Sequence, residues 1–411
     1  MHDDNTPRRN VVILEPEVGG HQHEWLEHLV RWSREVTGSH IVWLVVAPQI
    51  QRELAATVPA DLRDSVRIVA MHPIEQKLCA NRSLVLSAFA RWWVMRRYLA
   101  LTGAHAGQFL SLDHLTLPLA LGLGARGRKL SGILFRPSVH YRALGSGRPQ
   151  IGERLRDLRK ALLYPLMLRN RALDVVLTLD PYFVAYAARH YRQGTKVQPV
   201  ADPVHPILED GKQVGPLIPR LPPRRTVLVL FGFITERKGV LKVLDALEML
   251  PPQTARRTAV ILAGRIDDAI RDAFAARRER LANGPSTAWL HVEDRWLAPQ
   301  EIAALVEQSD VVLAPYQRFV GSSGVLLWAA RAGKCVLAQE YGLVGRLVAD
   351  HHLGLAVDTS DVRALARGLN TIVQEGPERF FDTRAASAFA AAHSAQSFAL
   401  SVYSSVLGGT A

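Results

Sequence analysis

Short apolar runs alternate with helical stretches along the whole chain. Asn10 to Leu14 reads as a first strand, and the turn Glu15-Pro-Glu-Val-Gly19-Gly20 follows it. His21 to Val36 then carries Trp25, Leu26, Leu29, Val30 and Trp32 at helical spacing. A second strand covers His40–Ala47, a helix Gln49–Ala56, a third strand Val66–Met71 and a long helix Ser83–Leu101. Phe109–Leu112 predicts a strand, Leu115–Gly122 an apolar helix, and Gly132–Arg136, Val175–Leu179 and Lys196–Pro199 three further strands. This strand–helix alternation predicts a parallel, doubly wound α/β sheet.

The pattern breaks at 207–225, where LEDGKQVGPLIPRLPPRR is rich in Pro and Gly and keeps no period. It predicts a linker. A second alternation begins at Thr226 and runs through VLVLFGF, AVILAG, WLHVE, VVLAP and CVLAQ, with helices between them. The expected domains are residues 1–206, 226–385 and a helical tail over 386–411. Two α/β halves joined by a linker imply a cleft, with ligands at the carboxyl ends of the strands.

Composition narrows the classes. The chain has 411 residues and 48% hydrophobic content, enough for a large core in each half. No run is long and apolar enough to span a bilayer, and MHDDNTPRRN leads straight into the first strand. The expected location is cytoplasmic. Cys79 and Cys335 both sit among apolar residues and read as buried thiols.

The formal net charge of +12 calls for an anionic partner. There is no zinc-finger spacing, RNP-type motif or Lys-rich tail, so nucleic acid is not expected. Two stretches suggest peripheral contact with an anionic membrane: Arg91-Trp92-Trp93-Val-Met-Arg96-Arg97-Tyr98 and the arginine-dense Arg142–Arg171. Their alternative is a helix packed on the sheet with a solvated face.

One stretch concentrates anion-binding features. In Val311–Val336 an apolar strand ends at Pro315, Gly321-Ser322-Ser323-Gly324 makes a turn, and a helical pattern starts at Val325. The first N–H groups of a helix lack intrahelical partners and carry the positive end of the dipole. Glycines admit a phosphate to the backbone, and serine hydroxyls donate as well. Lys238 poses a similar question. It follows a Gly-containing turn and opens a helix, where a cation is disfavoured unless an anion is present.

These segments fall into an ordered set that resembles the nucleotide-sugar-binding domain of GT-B glycosyltransferases, most of all glycosyltransferase family 4. Leu230-Phe-Gly-Phe-Ile-Thr-Glu-Arg-Lys238-Gly239-Val looks like the family's Gly-rich turn ending in Lys-Gly. Ala259-Val-Ile-Leu-Ala-Gly264 looks like its middle strand, and Ser309-Asp310-Val-Val-Leu-Ala-Pro315 like its acidic residue, strand and proline. Leu327-Trp-Ala-Ala-Arg-Ala-Gly333-Lys334-Cys-Val resembles its helix and Gly-Lys turn. In the first half, Gly19-Gly20 before a helix resembles the family's Gly-Gly loop. Ile133–Arg136 followed by Pro-Ser-Val-His140 resembles the strand that brings a histidine to the cleft.

The resemblance implies the GT-B fold: two Rossmann-like domains facing a cleft, with a C-terminal helix crossing back. It also implies transfer of a sugar from a nucleotide diphosphate sugar to a glycan or lipid-linked acceptor, with retention. No Asp-x-Asp lies in a suitable loop, so no metal or other cofactor is expected. Lys238, Arg237, Gly232, Gly321, Ser322, Ser323 and Gly324 are the candidates for the donor diphosphate. His140 and Asp113 are the catalytic candidates, and Gly19, Gly20, His21 and Arg136 those for the acceptor and its loop.

The departures from the family are specific. The acidic pair spaced eight apart falls on Val320 and Trp328, the expected loop arginine on Phe233, and the glutamate after the later glycine turn on Arg346. They keep two alternatives open: an inactive GT-B binding or scaffold protein, and a nucleotide-sugar epimerase.

Overall fold

The computed structural model describes residues 9–19, 22–35, 40–58, 60–144, 151–203 and 223–408. The chain divides into two compact units. One comprises Met1–His140, Pro149–Pro203 and Ser394–Ala411, the other Tyr141–Arg148 and Val204–His393.

The first unit holds a seven-stranded parallel sheet. Its strands are β1 (Arg9–Glu15), β2 (His40–Val46), β3 (Val66–Ala70), β4 (Ala106–Phe109), β5 (Lys129–Leu134), β6 (Leu173–Thr178) and β7 (Val197–Pro199). They lie in the order β3-β2-β1-β4-β5-β6-β7. Successive side chains of a strand point to opposite faces, so β1 serves two cores. Val11 and Ile13 pack with Trp25, Leu29 and the helix Ala395–Leu407. Val12 and Leu14 pack with Met95, Leu99 and Tyr164 on the other face. Helices on both faces bury its central strands, which is why β1 reads as a continuous apolar run.

The sequence placed β4 three residues late. The strand is Ala-Gly-Gln-Phe, ending at Phe109, whereas Leu110–Leu112 is a buried connection. Ala106-Gly107 carries no β-branched signal, but Gly107 belongs there because a Cβ would lie 2.6 Å from the sulfur of Met95.

The second unit holds a six-stranded parallel sheet: β8 (Thr226–Phe231), β9 (Thr258–Ala263), β10 (Trp289–Glu293), β11 (Val311–Ala314), β12 (Cys335–Gln339) and β13 (Gly354–Val357). Its order is β10-β9-β8-β11-β12-β13. Leu228 and Leu230 bury one face of β8 against the helices Val240–Glu248 and Val362–Glu375. Each unit is thus a Rossmann-like doubly wound sheet, as the GT-B resemblance implies. The helix Ala395–Leu407, which follows the second unit in the chain, belongs to the first: Tyr403 Oη donates to Leu29 O at 2.6 Å, and Ser405 Oγ to Gln108 Oε1 at 3.0 Å.

Most of the linker expected at 207–225 lies outside the described residues, as do Gly20 and His21. Among the described residues no helix is long and apolar enough to cross a membrane.

Candidate functional site

In each sheet the strand order reverses once, between β1 and β4 in the first and between β8 and β11 in the second. Loops leaving two such strands turn to opposite faces and open a crevice at the carboxyl ends. The polar side chains gather at these two places.

In the second unit, β8 is followed by Gly232–Thr235, a tight turn at Glu236–Lys238 and the helix Val240–Glu248. Gly239 caps that helix with φ 76°. A Cβ there would lie 2.0 Å from Pro315 O, so only glycine lets the turn settle on the loop after β11. Gln317 N donates to Arg237 O at 2.8 Å and completes the junction.

This contact aims Lys238 across the reversal point. Its Nζ donates to Phe231 O at 2.9 Å and to Tyr316 Oη at 3.4 Å. The Tyr316 hydroxyl lies 2.7 Å from Ser323 Oγ. Ser323 in turn caps the helix Gly324–Arg331, accepting from Val325 N at 3.3 Å. The result is one polar chain, Lys238–Tyr316–Ser323, ending at a helix N-terminus. An ammonium has three donors, and two of the Lys238 donors are spoken for. Among the described residues no carboxylate is paired with it.

The other donor candidates lie around this chain. The position of a Cβ on Gly232 would be 3.4 Å from Lys238 Nζ. Arg237 is exposed, its guanidinium 4.9 Å from the centre of the Phe319 ring. Gly321 is buried, and Ser322 and Gly324 are half-buried beside Ser323. Where a second carboxylate was expected, Trp328 is buried edge-on against Phe231, ring centres 6.4 Å apart.

Phe233, in the place of the expected arginine, is stacked on Trp296 at 5.4 Å and 26°. Trp296 is 67% exposed, so one ring face is open. The loop bearing it is held by Asp294, which accepts from Ile266 N at 2.8 Å and from Arg271 at 2.7 Å. Arg295 forks onto Glu301 at 2.7 and 3.0 Å. Sequence reasoning did not single out Tyr316 or Trp296. Their only signals were an aromatic directly after Pro315 and one after a charged turn.

At the reversal point of the first unit, the loop after β1 meets the loop after β4. Glu17 Oε1 lies 3.2 Å from His114 Nε2 and accepts from Arg91 at 3.0 Å. The His114 hydrogen bond, with Arg91 nearby, holds the Glu17 carboxyl down at about 2. Glu15, two residues earlier, is fully buried, and desolvation pushes its carboxyl up to about 8. Asp113 faces away from this pair. Its Oδ2 accepts from Phe135 N at 2.7 Å and its Oδ1 from Arg136 N at 3.3 Å. It clips the β5 loop, and the exposed Arg136 side chain stands beside it. Asp113 and His114, adjacent in sequence, thus part: His114 meets Glu17 instead. Gly19 is exposed, with no atom within 4 Å of a would-be Cβ.

His140 is buried. Its Nε2 lies 3.1 Å from Asp180 Oδ2 and its Nδ1 2.8 Å from Pro137 O. Asp180 also caps the helix Pro181–His190 through Tyr182 N and Phe183 N. His140 thus joins the β5 loop to the β6 loop inside the first unit. The basic–aromatic stretch is likewise partly internal, since Arg91 is buried and tied to Glu17.

Comparison with known proteins gives the same frame. Residues 225–375 match the family described as glycosyl transferases group 1. WaaG, a glycosyltransferase involved in lipopolysaccharide biosynthesis, is 17% identical with a TM-score of 0.61, over 97% of this chain and 100% of that one. Sucrose-phosphate synthase from Thermosynechococcus elongatus is also 17% identical, with a TM-score of 0.65, over 96% and 97% of the chains. Anabaena HepE in complex with UDP is 16% identical, with a TM-score of 0.59, over 96% and 97%. No curated protein matches the sequence.

Proposed function

We propose that this chain, a GT-B glycosyltransferase with a group 1 domain at residues 225–375, takes its sugar from a nucleotide diphosphate donor. The observation that carries the reading is the Lys238–Tyr316–Ser323 chain at the reversal point of the second sheet. When the sugar–phosphate bond breaks, negative charge grows on the leaving diphosphate. Preorganised donors aimed at that charge lower the barrier. Lys238 supplies the cation, Ser323 and Tyr316 the hydroxyls, and the helix Gly324–Arg331 the positive end of its dipole. This set provides positive charge without a divalent ion. The presence of UDP in the HepE structure supports a nucleotide donor for this chain as well.

The open face of Trp296, backed by Phe233, suits the flat ring of the base. The acceptor, a glycan or a lipid-linked sugar, would meet the first unit at Glu17 and His114. That pair could orient a hydroxyl and carry its proton. Retention of configuration completes the reading.

The test is turnover of UDP-, GDP- and dTDP-sugars by wild type and Lys238→Ala. Turnover that collapses in a folded variant supports the proposal, and wild-type turnover in it rejects the assignment. Tight donor binding by wild type without transfer or hydrolysis would instead favour an inactive binding protein, the reading motivated by Val320 and the buried Trp328. Proton NMR of the product anomer checks retention.

A further inference from the structure

The helices Pro73–Cys79 and Leu84–Leu101 form a hairpin after β3, at the carboxyl end of the first sheet. It is pinned from within: Ser87 Oγ donates to Cys79 O at 2.5 Å, and Arg91 to the same oxygen at 3.4 Å. Its outer tip is apolar. Ile74 and Leu78, one turn apart, are both exposed, and Leu84, Val85 and Leu86 fill the first turn of the second helix. Three consecutive helical residues point about 100° apart, so packing against the sheet would bury at least one. Here Leu84 and Leu86 are each 59% exposed and Val85 50%. Five exposed apolar side chains on one hairpin mark a partner or a membrane rather than chance exposure.

The charge around the tip selects between them. No Asp or Glu occurs between Glu75 and Asp113, while Lys77, Arg82, Arg91, Arg96 and Arg97 do. Arg91 and Arg97 are paired with Glu17 and Glu75 inside the unit. Lys77 and Arg82 stand exposed at the tip itself. A second apolar stripe lies on the helix Ile151–Arg169, where Leu158, Leu162 and Leu166 are exposed at intervals of four. Tyr164, Met167 and Leu168 of this helix join Met95 and Leu99 of the hairpin in one core, so both apolar surfaces belong to helices covering the same sheet face.

We propose that the hairpin tip docks on an anionic lipid surface, its five apolar side chains entering the headgroup layer and Lys77 and Arg82 pairing with lipid phosphates. Apolar burial and attraction to anionic lipid act together in such contacts. The proposal goes beyond the donor reading and does not depend on it.

The test is sedimentation of the full chain with phosphatidylcholine vesicles, with and without phosphatidylglycerol, at low salt and without substrates. Binding is expected only with phosphatidylglycerol and should fall by about tenfold or more in Leu84→Ser/Leu86→Ser and in Lys77→Gln/Arg82→Gln. Both double variants should keep the wild-type melting temperature and wild-type turnover of a soluble donor. Absence of wild-type binding overturns the proposal, as does undiminished binding by the tip variants. It is also overturned if the tip drives self-association instead, seen as a vesicle-free dimer that Leu84→Ser/Leu86→Ser dissolves.

Discussion

Lys238 Nζ and Tyr316 Oη lie 3.4 Å apart, reaching each other from the loops after β8 and β11 on either side of the reversal in the second sheet. The relationship ties the cation to a hydroxyl that itself touches the cap of the next helix. Removing the hydroxyl should leave Lys238 less well aimed. Tyr316→Phe is expected to lower kcat about tenfold with a smaller effect on donor KM, the cost of roughly one hydrogen bond. Lys238→Met should cost about a hundredfold or more. Steady-state kinetics on both variants checks the order.

Trp296 presents an open ring face backed by Phe233. If that face stacks on the donor base, Trp296→Ala should weaken donor binding by about tenfold or more, from a stacking contribution of about 1–3 kcal/mol. Trp296→Phe should recover part of it. Calorimetric titration with the nucleotide diphosphate reads this directly, and unchanged affinity in Trp296→Ala would remove the base from that ring.

Glu15 predicts a pH dependence of stability. Its carboxyl is raised from 4.5 to about 8 by burial. The folded chain therefore binds the proton more tightly than the unfolded chain. The stabilisation is full below about pH 4.5 and is lost as pH rises through about 8. Glu15→Gln keeps the shape without the charge and should be more stable than wild type at pH 8, by a few kcal/mol at most. Glu17 has the opposite sign. Its carboxyl is lowered to about 2, so its contribution is full above about pH 4.5 and is lost as pH falls toward 2. Urea melts across pH for wild type, Glu15→Gln and Glu17→Gln separate the two.

Asp180 both caps the helix Pro181–His190 and faces His140 at 3.1 Å. Asp180→Ala removes the cap and takes away the carboxylate that stands 3.1 Å from the buried His140 Nε2. The expected loss is about 2–4 kcal/mol, measured by denaturant unfolding. Gly239→Ala acts on the other unit, where its Cβ would meet Pro315 O at 2.0 Å. It should lower both stability and donor turnover by displacing Lys238.

Much of the architecture was legible in the sequence because parallel strands buried on both faces become unmistakable apolar runs, as in Val11–Leu14 and Thr226–Phe231. β4 was misplaced because its buried residues, Ala106-Gly107-Gln108, are selected by close packing and not by propensity. The helix starts at Gly239 and Ser323 were legible, since helix ends impose local rules. Glu17–His114 was not, because 97 residues separate partners that only the strand order brings together. Asp113 and His114 are neighbours in sequence, but the structure turns Asp113 toward Phe135 and Arg136. Tyr316 needed the same long-range information, as its partner Lys238 lies on a different strand–loop unit.

The helix Ala395–Leu407 is made after the whole second sheet and yet is part of the first unit. On the ribosome, β1 and its neighbours must therefore wait while that second sheet is synthesised. Until then Trp25, Leu29 and Gln108 have no Phe398, Tyr403 or Ser405 to cover them. The second unit closes on nearly contiguous sequence and can finish folding first, so the N-terminal half is the late folder of the two. A premature stop anywhere before Ser394 would release a chain whose first core is open to chaperones and proteases.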